Sequence, residues 1–240
     1  MCIESSYVCF SSHRRIDSMI VGHGLVASAF ISSVFDSDQY IVFASGISNS
    51  TESNDAAFIR EIALLDQFLS KNKTLIYFST TSIFDPTKKD TPYILHKLKI
   101  EHLIMAHVES YMIVRLPILI GHTNNPFTLI NFLVTAIREK IKIQLHTRAC
   151  RHLLDVDDLV PALTPFHSHS KRQVTINILG SKKISVPLLV TKLESILHTD
   201  GVFSWHDEGA CYELPLGAGE IVQIDRLNYI DEILRKYIRV

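Results

Sequence analysis

The sequence predicts an α/β protein built on a doubly wound parallel sheet, and three observations carry that expectation. Short apolar runs of strand length alternate with helix-length runs through the first half of the chain. A glycine turn, Gly22-His23-Gly24, joins the first of those runs directly to an apolar helical stretch. Hydroxyl side chains gather at Ser79-Thr80-Thr81-Ser82, straight after the third run, at the carboxyl end where such sheets place their ligand-binding loops.

Residues 1–17 are polar, aperiodic and rich in Ser, and predict an irregular tail. Ser18 to Val21 reads as the first strand, and Leu25 to Phe35 as a buried helix. Tyr40 to Ala44 is the next strand, and Phe58, Ile62, Leu65 and Leu69 recur at helical spacing within Ala56 to Leu69. Thr74 to Phe78 is β-branched and aromatic, as a strand buried on both faces should be. Pro92 opens a helix from Tyr93 to His107, and Tyr111 to Leu116 is a strand closed by Pro117. Right-handed crossovers are expected throughout this half. Beyond Gly121 come a helix at Phe127 to Glu139, a strand near Ile141 to Leu145 and the acidic stretch Asp155-Val156-Asp157-Asp158. A strand at Thr175 to Leu179, a helix at Val186 to His198 and a last amphipathic helix at Tyr229 to Ile238, capped by Asn228, complete the chain.

Composition excludes several classes of function. Near-neutral charge, formally -1, with scattered Lys and Arg offers no stripe for a phosphate backbone, so no nucleic-acid partner is expected. Cys2, Cys9, Cys150 and Cys211 lack CxxC spacing, which predicts free thiols in a reducing, cytoplasmic compartment. The twelve histidines form no HxxxH or HExxH pair, so no metal site is expected. Arg14 and Arg15 ahead of Met19 to Phe30, with Ala27-Ser28-Ala29, imitate a secretory leader, but Gly22 and Gly24 interrupt the run. No apolar stretch is long enough to span a bilayer, so no membrane partner is expected.

Gly22-His23-Gly24-Leu25-Val26-Ala27 has the form GxGxxA between a strand and a helix, where glycines let a pyrophosphate approach helix amides. Tyr93 and Lys97 lie four residues apart, one turn of one helix face. A cation beside a phenol favours phenolate and should lower the Tyr93 pKa toward working pH, as a proton donor and acceptor next to a carbonyl requires.

These elements in order, Gly22 to Ala27, then Ser79 to Asp85, then Tyr93 with Lys97 and Glu101, resemble the extended short-chain dehydrogenase/reductase family. More narrowly they resemble its NAD-dependent epimerase/dehydratase branch. Arg115-Leu116-Pro117 through Gly121, Arg151 to Asp158 and Asn177-Ile178-Leu179-Gly180 are similar to later segments of that branch, so the likeness covers Met19 to Leu197. It implies a Rossmann-like fold, NAD or NADP as cofactor and a nucleotide-sugar substrate used in surface polysaccharide biosynthesis. Tyr93 would be the acid/base, Lys97 would hold the nicotinamide ribose and Thr80 would bind the reacting oxygen. Gly22, His23, Gly24, Leu25, Val26, Ala44, Ser45, Gly46, Pro117 and Ile118 would complete the cofactor site, and Thr81, Ser82, Arg148, Arg151 and His152 the substrate site. Thr81 stands where dehydratases of the branch carry Asp, which leaves epimerisation or ketoreduction.

One departure is large. Ile41 to Gly46 resembles the family's fourth strand and follows the first helix directly, so the second and third strands are missing and the sheet is shortened. The position that reads the adenosine ribose falls near Ser45 and Gly46, which have no carboxylate to offer. The expected organisation is a nucleotide-binding domain at 18–121 and a small substrate-binding part at 122–240, returning a strand to the sheet near 175–179. A non-catalytic nucleotide- or sugar-nucleotide-binding protein that kept the fold is the rival reading. Excess apolar surface on the helices at 56–69 and 93–107 suggests a homodimer.

Overall fold

A computed structural model describes residues 19–167 and 172–238, so the tail at 1–17, Cys2 and Cys9 lie outside the described residues. Strand β1 (Met19–Val21) runs through the glycine turn into helix α1 (Leu25–Phe30). β2 (Tyr40–Phe43), α2 (Asp55–Asp66), β3 (Thr74–Thr80), α3 (Pro92–His107) and β4 (Tyr111–Leu116) follow. The second half holds β5 (Ile118–Ile120), α4 (Leu129–Arg138), β6 (Lys142–His146), β7 (Cys150–Asp155) and α5 (Leu159–Leu163). It continues through β8 (Gln173–Leu179), β9 (Lys183–Ser185), α6 (Val186–Leu197), β10 (Val202–His206), β11 (Glu220–Gln223) and α7 (Tyr229–Tyr237).

Six strands form one parallel sheet in the order β1-β2-β3-β4-β8-β11. The interior strands are buried on both faces, which is why β2 to β4 read as unbroken apolar runs. Alternate side chains serve opposite layers. Val42, Ile76, Met112 and Ile176 pack with Phe30 of α1 and Leu159 and Leu163 of α5. Ile41, Leu75, Tyr77 and Ile113 pack with Leu65 of α2 and Ile100 and Ile104 of α3. Helices therefore cover both faces, and the Rossmann-like fold stands.

β1 occupies the edge and pairs with β2 alone among the described residues, with no strand beyond it. The strands β1 to β4 advance across the sheet in one direction, yet α1 lies on the face opposite α2 and α3. The β1-α1-β2 connection consequently has the opposite hand to the two that follow, which corrects the expectation of right-handed crossovers throughout. With β1 joined directly to its neighbour, α1 keeps its own face while the chain goes to the other side.

The expected helix to Phe35 stops at Phe30: Ser32 takes φ 61 and donates its amide to Asp36 Oδ2 at 2.8 Å, so a local turn outcompetes the next helical turn. Asn228 precedes α7 in a left-handed conformation and makes no side-chain cap bond, contrary to the expected cap. Short strands β7, β9, β10 and β11 had no periodic signal long enough to find. β7 pairs with β5 and β9, and β10 with β6. A separate core gathers Leu133, Leu189, Leu193, Ile233 and Leu234 from α4, α6 and α7. The acidic stretch is bound to α7: Tyr229 donates to Asp158 at 2.6 Å, and Lys236 reaches Asp155 at 2.8 Å and Asp157 at 2.6 Å.

Cys150 and Cys211 are joined as a disulfide across 61 residues of chain, which corrects the expectation of free thiols for this pair. Sequence spacing cannot reveal a bond between a strand and a distant loop that only the fold brings together. Among the described residues no helix is long and apolar enough to cross a membrane, and no three metal-ligating side chains converge.

Candidate active site

The carboxyl ends of β1 to β4 converge on one rim. At its first corner Gly22 has φ +118, and a β-carbon there would lie 2.6 Å from the Ala44 carbonyl oxygen, so only glycine fits between β1 and β2. Gly24 differs: among the described residues nothing lies within 4 Å of where its β-carbon would be. The turn thus presents open backbone at the start of α1, beside His23, the sort of surface a phosphate group can approach closely. Leu25 packs inward, where a side chain at Gly121 would come within 2.6 Å of it, and Val26 joins the α1 layer.

The corner that holds Thr80, Tyr93 and Lys97 is built by β3 and the first turns of α3. Thr80 ends β3 in extended conformation and accepts the Ser82 amide at 3.1 Å, capping a short 3-10 helix at Thr81–Phe84. Thr91 caps α3, and Pro92 in its first turn needs no amide partner. That start places Tyr93, 7% exposed, with its hydroxyl beside Thr80, and Lys97 one turn further in. Lys97 Nζ stands 6.0 Å from the centre of the Tyr93 ring.

Beneath this pair lies a sealed polar cluster that motif reasoning missed. Lys97 Nζ donates to Tyr77 Oη at 2.9 Å, to Glu61 Oε1 at 3.3 Å and to the Phe78 carbonyl at 3.5 Å. Tyr77 donates to Glu61 Oε1 at 2.8 Å, the Ile47 amide donates to Glu61 Oε2 at 2.9 Å, and His96 Nε2 lies 3.0 Å from the same oxygen. Gly46 makes room: a β-carbon there would lie 2.9 Å from both Glu61 Oε1 and Lys97 Nζ. The available signal was Glu61 itself, a carboxylate on the helical stripe of Phe58, Ile62 and Leu65.

The electrostatics follow from that cluster. Burial pushes the Glu61 carboxyl up, but the Lys97 charge and bonds from His96, Ile47 and Tyr77 outweigh it and hold the pKa at about 2. Burial and the Glu61 charge push the Tyr93 phenol above its ordinary value, opposed by the Thr80 hydrogen bond. The expected lowering by Lys97 is therefore reversed by burial and by the Glu61 charge, while the ammonium itself donates to Tyr77 and Glu61. A second buried set supports the strand ends: Ser79 donates to Glu101 at 2.5 Å, and Arg115 grips the same carboxylate at 3.0 and 2.6 Å.

The remaining expected residues divide. Ala44, Ser45 and Gly46 follow β2 beside the glycine turn, and Pro117 and Ile118 link β4 to β5. Thr81 and Ser82 meet Tyr212, with Arg151 nearby, 3.6 Å from Asp85. His152, the next residue of β7, points to the opposite side and faces the Gly180 carbonyl at 3.1 Å. Arg148 is exposed and paired with Asp207 at 3.2 Å.

A parallel sheet with a glycine turn at its first crossover and a Thr, Tyr and Lys at its carboxyl rim defines a nucleotide-binding protein of the dehydrogenase class. The chain belongs to the NAD dependent epimerase/dehydratase family, whose model matches residues 22–178. No curated protein sequence matches it. Among solved structures it is similar to UDP-glucuronic acid 4-epimerase from Bacillus cereus, crystallised with UDP-glucuronic acid and NAD, at 16% identity and a TM-score of 0.56, covering 91% of this chain and 74% of that one. It is similar to dTDP-glucose 4,6-dehydratase from Bacillus anthracis with NAD at 15% and 0.61, covering 90% and 77%. A third, dTDP-4-dehydrorhamnose reductase from Bacillus anthracis with NADP, gives 15% and 0.58, covering 88% and 83%. At such identities the likeness is one of fold.

Proposed function

We propose that this chain is an NAD- or NADP-dependent epimerase or ketoreductase acting on a nucleotide-linked sugar in surface polysaccharide biosynthesis. The observation that carries the reading is that Thr80 at the carboxyl end of β3 and Tyr93 at the start of α3 are brought together, with Lys97 Nζ 6.0 Å from the Tyr93 ring centre. Three of the structures of this fold were crystallised with a nicotinamide dinucleotide, and one of them with a nucleotide sugar as well.

The residues suit a dinucleotide. Open space at Gly24 admits the pyrophosphate to the first turn of α1, and Ala44 to Gly46 with Pro117 and Ile118 flank the path toward Tyr93. Of the three Lys97 donors, the one aimed at Phe78 O is the longest at 3.5 Å and is the one to redirect to a ribose hydroxyl. When bound, the nicotinamide supplies hydride transfer. Tyr93 gives a proton to, or takes one from, the sugar oxygen, and Thr80 holds that oxygen. A phenol raised by burial is protonated at neutral pH and so is set to donate, the direction ketoreduction needs. Thr81 has no carboxyl for the acid step of a dehydratase.

We divide the chain at about residue 121, a nucleotide-binding part before it and a substrate-binding part after it, with Arg151 toward the sugar side. Homodimerisation through α2 and α3 is supported by the exposed apolar side chains Ile59, Leu95 and Met105. We place the protein in the cytoplasm, the compartment that supplies nucleotide sugars and reduced nicotinamide.

A second reading, a sugar-nucleotide binder without turnover, is favoured by one observation: Glu61 already occupies Lys97. Thermal unfolding with NADH and with NADPH tests the cofactor half of the proposal. A rise in Tm with one of them at millimolar concentration is expected, and no rise with either contradicts the enzyme.

A further inference from the structure

The segment between β10 and β11 is fastened over the substrate side of the rim. The Thr147 amide donates to His206 O at 2.9 Å, the Arg148 amide to Glu208 O at 3.0 Å and the Cys150 amide to Ala210 O at 3.3 Å, so residues 206–210 are zipped along the β6–β7 turn. The Cys150–Cys211 disulfide closes that zip. At Gly209, φ +89, a β-carbon would lie 2.8 Å from Ala149 Cβ, so the approach depends on glycine. The far end is held separately: Ala218 O accepts from Arg115 at 2.9 Å and from Asn177 at 3.0 Å.

Tyr212 follows the disulfide directly. It is partly buried and lies beside the Thr81 and Ser82 side chains, with the Arg151–Asp85 pair close by. Thr81 and Ser82 adjoin Thr80, so the phenol lies next to the position of the reacting sugar. A tyrosine offers both an apolar ring face and a hydroxyl that donates or accepts, the two features a sugar ring engages.

We propose that Tyr212 is a sugar-binding residue of this site and that the Cys150–Cys211 bond sets its position, so that nucleotide-sugar affinity depends on the oxidation state of this pair. The inference rests on the nucleotide-sugar reading above. Cys211 is exposed, so a thiolate can reach it. A dithiol such as dithiothreitol supplies two electrons and two protons: the Cys150–Cys211 S–S bond breaks to two thiols, and the reagent closes to its own cyclic disulfide.

Calorimetric titration of the NAD-saturated protein with UDP-glucose, UDP-glucuronic acid and dTDP-glucose, and with UDP alone, tests it. The oxidised wild type should bind at least one of the sugar nucleotides. Tyr212→Phe, reduction of the wild type and Cys211→Ser should each weaken that ligand about tenfold, as loss of a hydrogen-bonded contact does, and leave UDP affinity unchanged. Reduction of Tyr212→Phe should add little, and its Tm should match the wild type. Sugar-nucleotide affinity unmoved by Tyr212→Phe and by reduction overturns this inference alone, as does an equal loss for UDP. Failure of the oxidised wild type to bind any of the three overturns it together with the proposed function.

Discussion

Glu61 Oε1 lies 3.3 Å from Lys97 Nζ with both side chains sealed from solvent. The ammonium expected to act on Tyr93 is thereby balanced by a carboxylate from the preceding helix. A buried pair of this kind is retained by its full set of hydrogen bonds, since Coulomb attraction alone rarely repays the desolvation of two charges.

Removing one member should be costly. Glu61→Gln leaves Lys97 buried and uncompensated, and should lower unfolding free energy by about 3–5 kcal/mol. Adding Lys97→Met should restore a large part of it. Urea unfolding of both variants provides the measurement, and additive losses would contradict the pairing.

Acid should weaken the fold through the same group. A carboxylate whose folded pKa is about 2, against an ordinary 4.5, contributes stability that is complete above the ordinary value and lost as pH falls toward the folded one. The size is about 3 kcal/mol for a displacement of this order. Unfolding curves between about pH 5 and about pH 2 should show this decline in the wild type and a shallower one in Glu61→Gln.

The two glycines of the first turn should separate by phenotype. Gly22→Ala forces a side chain into a left-handed conformation against the Ala44 carbonyl and should destabilise by about 1–3 kcal/mol. Gly24→Ala meets no neighbour among the described residues and should change stability by about 1 kcal/mol or less, while filling the space proposed for the pyrophosphate. Paired measurements of Tm and NADH affinity should therefore show Gly22 as a stability position and Gly24 as a cofactor position.

Much of this was legible because the signals were local. Three central strands announced themselves as β-branched runs, and Tyr93 and Lys97 by their place after Pro92 and the hydroxyl cluster. Glu61, Tyr77 and His96 were not, because a buried network of residues 16 to 36 positions apart leaves no periodic trace. The same limit hid the disulfide and Tyr212, which the fold delivers to the rim from the other end of the chain. The reversed crossover at α1 came from chain order in space, which strand and helix patterns do not encode.

Turnover by Tyr93→Phe tests the central claim most directly. With the nucleotide sugar that the wild type converts, the variant should bind the nicotinamide cofactor as tightly as the wild type and lose activity by about a hundredfold or more, the usual worth of a positioned acid/base. A variant that keeps wild-type turnover with the same cofactor affinity would contradict the assignment of proton transfer to Tyr93.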